Sequence, residues 1–130
     1  GDITELQCIL AFKERGIVVS IPFGDSAPYD LVVELGGELK KIQCKTSREG
    51  RSEGTYVFNT SISHTNTKET VRKTYEGKID YFMTIIEGQP CLVPVSDCGV
   101  TDKTLRVVPP KNGQVIGVAF AATYHLDRYT

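Results

Sequence analysis

The sequence predicts an α/β or α+β fold, in which one helix at the start of the chain packs on a mostly antiparallel sheet. Two observations lead to this prediction. Residues recur at helical spacing within positions 2–15, and a Gly-Gly pair at positions 36 and 37 separates two strand-like runs. With 130 residues and 40 % apolar content, the chain suits one folded domain over residues 1–130. No apolar run approaches about 18 residues, which excludes a membrane-spanning helix.

The predicted helix covers residues 2–15. Asp2 suits the N-cap, where its carboxylate can accept a backbone N–H, and Gly16 suits the position just beyond the C-terminus. The residues that recur at helical spacing are Ile3, Leu6, Ile9, Leu10 and Lys13.

The strands are predicted in the following order. Residues 17–21 form a short β-branched run that ends before Pro22. The runs 30–35 and 38–45 flank the Gly-Gly pair, and a type I′ turn requires positive φ at both of its central residues. Further strands are predicted at residues 55–61, 79–87 and 91–95, the last entered through a turn at residues 88–90. Residues 67–75 predict a loop or a short helix, and residues 115–124 are apolar without a clear period.

Charge is distributed unevenly, although the formal net charge is only −1. Residues 40–78 contain nine Lys or Arg against four Asp or Glu, while the remainder contains six against twelve. A basic middle third favours a surface that faces a polyanion, and an ordinary solvated surface gives the same pattern. The four cysteines include no Cys-x-x-Cys pair, which predicts free thiols in a reducing cytoplasm rather than a zinc cluster or a disulfide scaffold.

The register of the predicted hairpin brings three polar side chains together. With Gly36 and Gly37 as the loop residues, opposed positions sum to 73, so Asp30 lies across from Gln43. Lys45 shares their side because the side-chain period of a strand is two. The opposite, apolar side is expected to pack on the helix and consists of Leu31, Val33, Leu35, Ile42 and Cys44.

This cluster has two interpretations. A carboxylate and an amide oxygen are hard ligands suited to Mg²⁺, and a nearby lysine can orient an attacking water or neutralise phosphate charge. The same three residues also occur on the solvent face of any antiparallel sheet, and the pattern alone leaves both open. Glu5 is open in the same way, since it lies three residues after Asp2 and could close a capping box. Asp80 precedes an apolar strand and is predicted to be structural.

Asp30, followed by a hairpin into Gln43-Cys44-Lys45, resembles the PD-(D/E)XK nuclease superfamily, with Gln43 in place of the acidic member of the second motif. The glutamine form, with a glutamate in the first helix, resembles a small subfamily that includes an intron-encoded homing endonuclease. The resemblance covers most of the chain, in blocks at residues 1–6, 24–25, 29–33, 42–46, 75–82, 92–95 and 112–114. It implies a restriction-endonuclease-like core with a mixed, mostly antiparallel central sheet.

The resemblance also implies roles for individual residues. Asp30, Gln43 and the backbone carbonyl of Cys44 would hold Mg²⁺, for which Mn²⁺ can substitute. Lys45 would be the catalytic lysine, and Glu5 would complete the catalytic set. Because Gln43 is neutral, metal affinity would depend on whether Glu5 restores the missing charge. The expected DNA contacts are Lys41, Thr46, Arg48, Arg51, Lys68, Arg72 and Lys73.

These observations together predict a Mg²⁺-dependent DNA endonuclease similar to homing endonucleases. We expect it to act on double-stranded or branched DNA, in a prokaryotic or phage setting in the cytoplasm, close to the nucleoid. So small a domain would need a homodimer or homotetramer to cut both strands. The alternatives are a structure-specific nuclease for Holliday junctions or repair, a catalytically weak DNA-binding relative, and a protein-interaction domain. The last predicts no salt-sensitive affinity for DNA.

Overall fold

A computed structural model of the protein describes residues 1–65, 70–113 and 117–130, with the backbone alone for residues 62–65 and 70–74. Helix α1 covers Asp2–Glu14. The strands are β1 (Val19–Ser20), β2 (Leu31–Leu35), β3 (Glu38–Cys44), β4 (Arg48–Glu49), β5 (Thr55–Asn59), β6 (Ser61–Thr65), β7 (Thr70–Thr74), β8 (Tyr81–Ile86), β9 (Gln89–Pro94) and β10 (Asp102–Arg106). Three short 3₁₀ helices cover Val95–Asp97, Ala121–Tyr124 and Leu126–Arg128.

The strands form one five-stranded sheet and two smaller sheets within the described residues. The central sheet has the order β1-β2-β3-β8-β9, in which only the β3–β8 pair is parallel. A three-stranded sheet has the order β10-β5-β4, and β6 pairs with β7. The predicted α/β or α+β class, with an N-terminal helix on a mixed and mostly antiparallel sheet, is therefore confirmed.

The central sheet is covered on both faces. On one face, Phe12 of α1 packs with Leu31, Ile42 and Met83 in a first cluster, and all four side chains are fully buried. The other face carries a second cluster, in which Phe82 of β8 packs with Phe58 of β5. The three-stranded sheet therefore covers β8 and β9 on the face opposite the helix.

Helix α1 ends at Glu14, one residue earlier than predicted, and differs in its capping. Gly1 is the N-cap residue, the helix begins at Asp2, and no side chain caps it. The prediction that Asp2 is the N-cap is therefore wrong, and Glu5 lies one position too far along the helix for a capping box. Gly16 lies just beyond the C-terminus, as predicted: it has a φ of 72° and donates to the Lys13 carbonyl, and the Ile17 N–H donates to Phe12. These bonds define a Schellman motif.

The residues whose spacing predicts the helix are mostly not the ones that bury it. Ile3, Leu6 and Leu10 are 74 %, 65 % and 59 % exposed, whereas the buried residues of the helix are Thr4, Cys8, Ala11 and Phe12. Small side chains on the buried face allow the helix backbone to approach the sheet closely, and Phe12 fills the remaining space. Tertiary packing, rather than apolar periodicity, therefore sets the rotation of the helix.

The hairpin has the predicted register. Gly36 and Gly37 have φ values of 58° and 80°, and the pairs extend from Leu35 with Glu38 to Leu31 with Ile42. The predicted apolar side is also confirmed, because Leu31, Val33 and Ile42 are buried against the helix and Leu35 and Cys44 pack at the margin of the same cluster.

Several later elements differ from the prediction. Residues 70–74 form strand β7 rather than a loop or a helix, because they pair with β6, a contact that local polarity does not reveal. The β8–β9 turn consists of Glu87 and Gly88, both with positive φ, so Gln89 and Pro90 belong to the strand. The predicted run 55–61 divides into β5 and the first residue of a separate strand, β6, and β4 and β10 lie outside the predicted strands. Ala121–Tyr124 form a 3₁₀ helix within the aperiodic apolar segment. The extent of a single domain over residues 1–130 stays a prediction.

All four cysteines are free thiols, as predicted. Within the described ranges, no helix has the length and apolar character needed to span a membrane.

The buried face of α1 can be tested by paired substitutions. Phe12→Ala should lower the free energy of unfolding by about 3–5 kcal/mol, because it removes a fully buried ring from the first cluster. Leu6→Ala should change it by no more than about 0.5 kcal/mol, since Leu6 is exposed. Urea denaturation of both variants measures these values. Equal costs would show that the helix is rotated differently.

Candidate active site

Asp30 precedes β2 and binds the backbone on both sides of Gln43. Its N–H donates to the Ile42 carbonyl at 2.9 Å, and its carboxylate Oδ2 accepts the Cys44 N–H at 3.0 Å. The second of these bonds holds the carboxylate against the peptide group that joins Gln43 and Cys44. The predicted proximity of Asp30 and Gln43 is therefore present, and the contact between them runs through the backbone of the opposing strand.

Gln43 and Lys45 lie on the parallel seam between β3 and β8. Gln43 pairs with Phe82, and the Lys45 N–H continues the ladder by donating to the Met83 carbonyl at 2.8 Å. Because residues two apart in a strand share a face, Gln43 and Lys45 project to the side of the sheet that carries the second cluster. Both side chains are half-buried, so solvent still reaches them.

Helix α1 carries Glu5 to the same region. The Thr4 and Thr46 hydroxyls are 2.7 Å apart, which ties the first turn of the helix to the segment after Lys45. Burial and, second, the negative charge of Asp30 raise the pKa of the Glu5 carboxyl. This mutual repulsion places Glu5 within electrostatic reach of Asp30, although the two residues belong to different elements.

The negative charge of Asp30 acts on Lys45 as well as on Glu5. Burial lowers the pKa of the Lys45 ammonium, and the attraction of Asp30 partly offsets this effect. Cys44 faces the other way, into the first cluster, where a hydrogen bond with Cys8 and burial raise the pKa of its thiol. Its side chain is therefore an inert core group, and only its backbone faces the polar residues.

The central polar residues predicted from the sequence thus come together, and the predicted DNA contacts separate into groups. Lys41 is exposed on the same face of β3 as Gln43, with its ammonium 5.9 Å from the centre of the Tyr29 ring. Thr46, Arg48 and Arg51 are exposed beyond the end of β3. Lys68 lies outside the described residues, and Arg72 and Lys73 are described by their backbone in β7 alone.

The donor atoms of this site suit a hard cation that retains water. Glu5 and Asp30 offer carboxylates and Gln43 offers an amide oxygen, whereas no group of three or more His, Cys, Asp or Glu side chains placed to hold a metal occurs in the described part of the chain. A magnesium ion fits a set of one or two carboxylates, because it keeps several waters and takes further oxygens from a phosphate.

Two further side chains lie near the site and are not among the site residues predicted from the sequence. Tyr75 lies under the Lys45 ammonium, with 5.1 Å between the Nζ and the ring centre. Asp80, correctly predicted to be structural, accepts the Lys41 N–H through its Oδ2 and donates its own N–H to the Lys41 carbonyl. In the sequence, Tyr75 is marked only as the first residue of the block 75–82 that resembles the nuclease family, and this gives no information about its contact with Lys45.

The chain is similar to known proteins in sequence family and in fold. A family model described as PD-(D/E)XK endonuclease matches residues 1–127. The chain belongs to the PD-(D/E)XK endonuclease family. Among solved structures, the PD-(D/E)XK chain is similar to a bacterial homing endonuclease, I-Ssp6803I, with a TM-score of 0.77 and 28 % sequence identity. That alignment covers 98 % of this chain and 87 % of the other. The comparison with curated proteins finds no match.

The coupling between Asp30 and Glu5 can be measured in this PD-(D/E)XK endonuclease without divalent ions. Asp30→Asn should lower the pKa of the Glu5 carboxyl towards its usual range, because a negative charge is removed while the amide oxygen can still accept the Cys44 N–H. A carbon-detected NMR titration of the Glu5 carboxyl measures this shift. Asp25→Asn, in an exposed loop, is the control and should leave it unchanged. An unchanged Glu5 pKa in the Asp30→Asn variant would show that the two carboxylates do not interact.

Proposed function

We propose that this protein is a Mg²⁺-dependent DNA endonuclease of the homing type. The observation that carries the proposal is the hydrogen bond from the Cys44 N–H to the Asp30 carboxylate. This bond holds an acidic oxygen beside Gln43, just before the basic residues Lys45, Arg48 and Arg51. Family membership and the similarity to I-Ssp6803I support nuclease chemistry on the same fold.

In this proposal Asp30, the Gln43 amide oxygen and the Cys44 carbonyl hold the ion, with Glu5 as a further carboxylate. A bound Mg²⁺ supplies charge neutralisation at a phosphate and lowers the pKa of a water. Gln43 contributes an oxygen without charge, so two carboxylates supply the negative charge of the site. Burial first, and the charge of Asp30 second, raise the pKa of the Glu5 carboxyl, and a bound cation would favour its ionised form.

Lys45 supplies the positive charge that acts on the phosphodiester. Its ammonium is half-buried and lies in the field of Asp30, on the same face of β3 as Gln43. A partly desolvated ammonium interacts more strongly with a phosphate than one in bulk water. We assign it to hold the attacking water and to stabilise the charge that develops on the phosphoryl oxygens, while the 3′-oxygen leaves.

DNA would approach over the basic residues beyond β3. Arg48 and Arg51, with Arg106 of β10, line an open groove of about 670 Å³ on the three-stranded sheet. Among the described residues, no carboxylate forms a salt bridge with these three guanidinium groups. The Arg106 guanidinium donates to the Val108 and Glu53 carbonyls, so we assign phosphate binding in this groove to Arg48 and Arg51. Lys41, Thr46, Lys68, Arg72 and Lys73 complete the proposed DNA contacts. A symmetric dimer or tetramer would bring two such sites to the two strands.

The cleavage assay uses supercoiled plasmid and four-way-junction DNA with Mg²⁺ or Mn²⁺. Lys45→Ala should reduce the single-turnover rate by about 10²–10⁴-fold, the usual effect of losing such a group. Asp30→Asn should abolish cleavage while DNA affinity stays equal or rises, because it removes a negative charge near phosphate. Lys13→Ala, exposed near the end of α1, is the matched control and should cut normally.

The outcome also decides between the proposal and a catalytically weak relative. The neutral Gln43 and the small number of carboxylates are the observations that favour the relative. Salt-sensitive DNA binding without cleavage in either ion would support it and overturn the nuclease. Cleavage of the junction but not of any duplex would support a structure-specific nuclease.

The role of Gln43 can be tested separately by metal titration. Gln43→Glu should tighten Mn²⁺ binding by on the order of tenfold, because it adds a negative charge to a ligand of the ion. Isothermal titration calorimetry on the DNA-free protein measures this affinity. Gln89→Glu is the control, since Gln89 contacts His125 at the far end of β9. Equal Mn²⁺ affinities for wild type and Gln43→Glu would remove Gln43 from the metal site.

A further inference from the structure

Tyr75 is a buried aromatic residue that contacts the proposed catalytic lysine. It lies between β7 and β8 and is only 8 % exposed. The Lys45 Nζ is 5.1 Å from the centre of its ring, within the distance at which a cation is attracted to an aromatic face. Burial, and to a lesser extent the charge of Asp30, raise the pKa of its hydroxyl, which places the ring in the same electrostatic environment as the site.

Two sets of contacts fix the Tyr75 ring: a ring contact with Phe82 and hydrogen bonds to the Tyr75 carbonyl. Phe82 meets it edge to face, with ring centres 5.1 Å apart and an interplanar angle of 85°. The Tyr75 carbonyl accepts the N–H groups of Lys78 and Ile79, in a turn that leads directly into β8. Because Phe82 is the residue that pairs with Gln43, the ring is fixed relative to the same strand pair that positions the polar cluster.

The ammonium has few other fixed partners. In the described part of the chain, Lys45 forms no salt bridge, and Asp30 acts on it through its field rather than by a short contact. A lysine side chain has four rotatable bonds, so a half-buried ammonium without a rigid partner would sample several positions. The Tyr75 face is the rigid group that limits this freedom.

We propose that Tyr75 is a positioning residue for Lys45, and that its aromatic face, rather than its hydroxyl, directs the ammonium towards the reacting phosphate. This inference rests on the proposed nuclease function for its catalytic consequence. The contact itself does not, so it can be tested on the DNA-free and metal-free protein.

The first experiment measures the contact by NMR. The ε-methylene protons of Lys45, assigned by their absence in Lys45→Arg, should be shifted upfield by the ring current of Tyr75. Tyr75→Phe should keep this shift and Tyr75→Leu should remove it. A Lys45 resonance that is the same in wild type and Tyr75→Leu would overturn the proposal. If Tyr75→Leu does not fold, a resonance at the random-coil position in wild type and Tyr75→Phe would overturn it equally.

The second experiment measures the consequence for cleavage under single-turnover conditions with supercoiled plasmid and Mn²⁺. Tyr75→Phe should cut within about threefold of wild type, which shows that the hydroxyl is dispensable. Phenylalanine carrying one, two or three fluorines at position 75 should lower the rate stepwise, by roughly 10- to 30-fold in total, because fluorine weakens the attraction of the ring for a cation. DNA affinity should not change.

A matched series controls for packing. The same fluorinated residues at Phe58, whose ring lies 5.7 Å from Phe82 in the second cluster, should leave the rate unchanged. A flat rate across the series at position 75, or an equal decline at position 58, would overturn the positioning role. If wild type does not cut any DNA, the nuclease proposal fails while the NMR experiment still decides the contact.

Discussion

The two-residue turn at Gly36 and Gly37 fixes the register of β2 against β3, and the candidate site depends on that register. Both glycines have positive φ, a conformation that costs other residues energy, and the strands then pair with opposed positions summing to 73. A slip of one residue would turn Leu31 and Ile42 out of the first cluster, so packing on the helix opposes it. The same burial therefore stabilises the fold and keeps Asp30 beside Gln43.

The site lies where several constraints meet. The parallel β3–β8 pair carries Gln43 and Lys45, and Asp80 reinforces it through its bonds with the Lys41 backbone. Helix α1 covers one face of that pair, and the second cluster, which contains Phe82, covers the other. The polar side chains lie at the exposed margin of this packing, where charges keep partial access to water while the backbone beneath them is paired in the sheet. Such an arrangement favours preorganised charge over a deep pocket.

The predictable parts of this structure are those encoded locally. The Gly-Gly pair and the alternation of the flanking strands are sufficient to place Asp30, Gln43 and Lys45, because a two-residue loop leaves one register. The rotation of α1 is different. Leu6 and Leu10 favoured the wrong face, since the actual one is chosen by the close approach of Cys8 and Ala11 to the sheet. The pairing of β7 with β6 joins neighbouring strands whose polar sequence does not show the alternation typical of a strand. The contact of Tyr75 with Lys45 joins residues distant in sequence, and no local pattern encodes it.

A crystal soaked with Mn²⁺ tests the central claim most directly, because anomalous scattering locates the ion independently of the side chains. We expect one strong peak coordinated by the Asp30 carboxylate and lying beside Gln43 and the Cys44 carbonyl, and we expect its loss in Asp30→Asn crystals grown in the same form. A peak held by other residues, or Mn²⁺-dependent cleavage without any ion at Asp30, would contradict it.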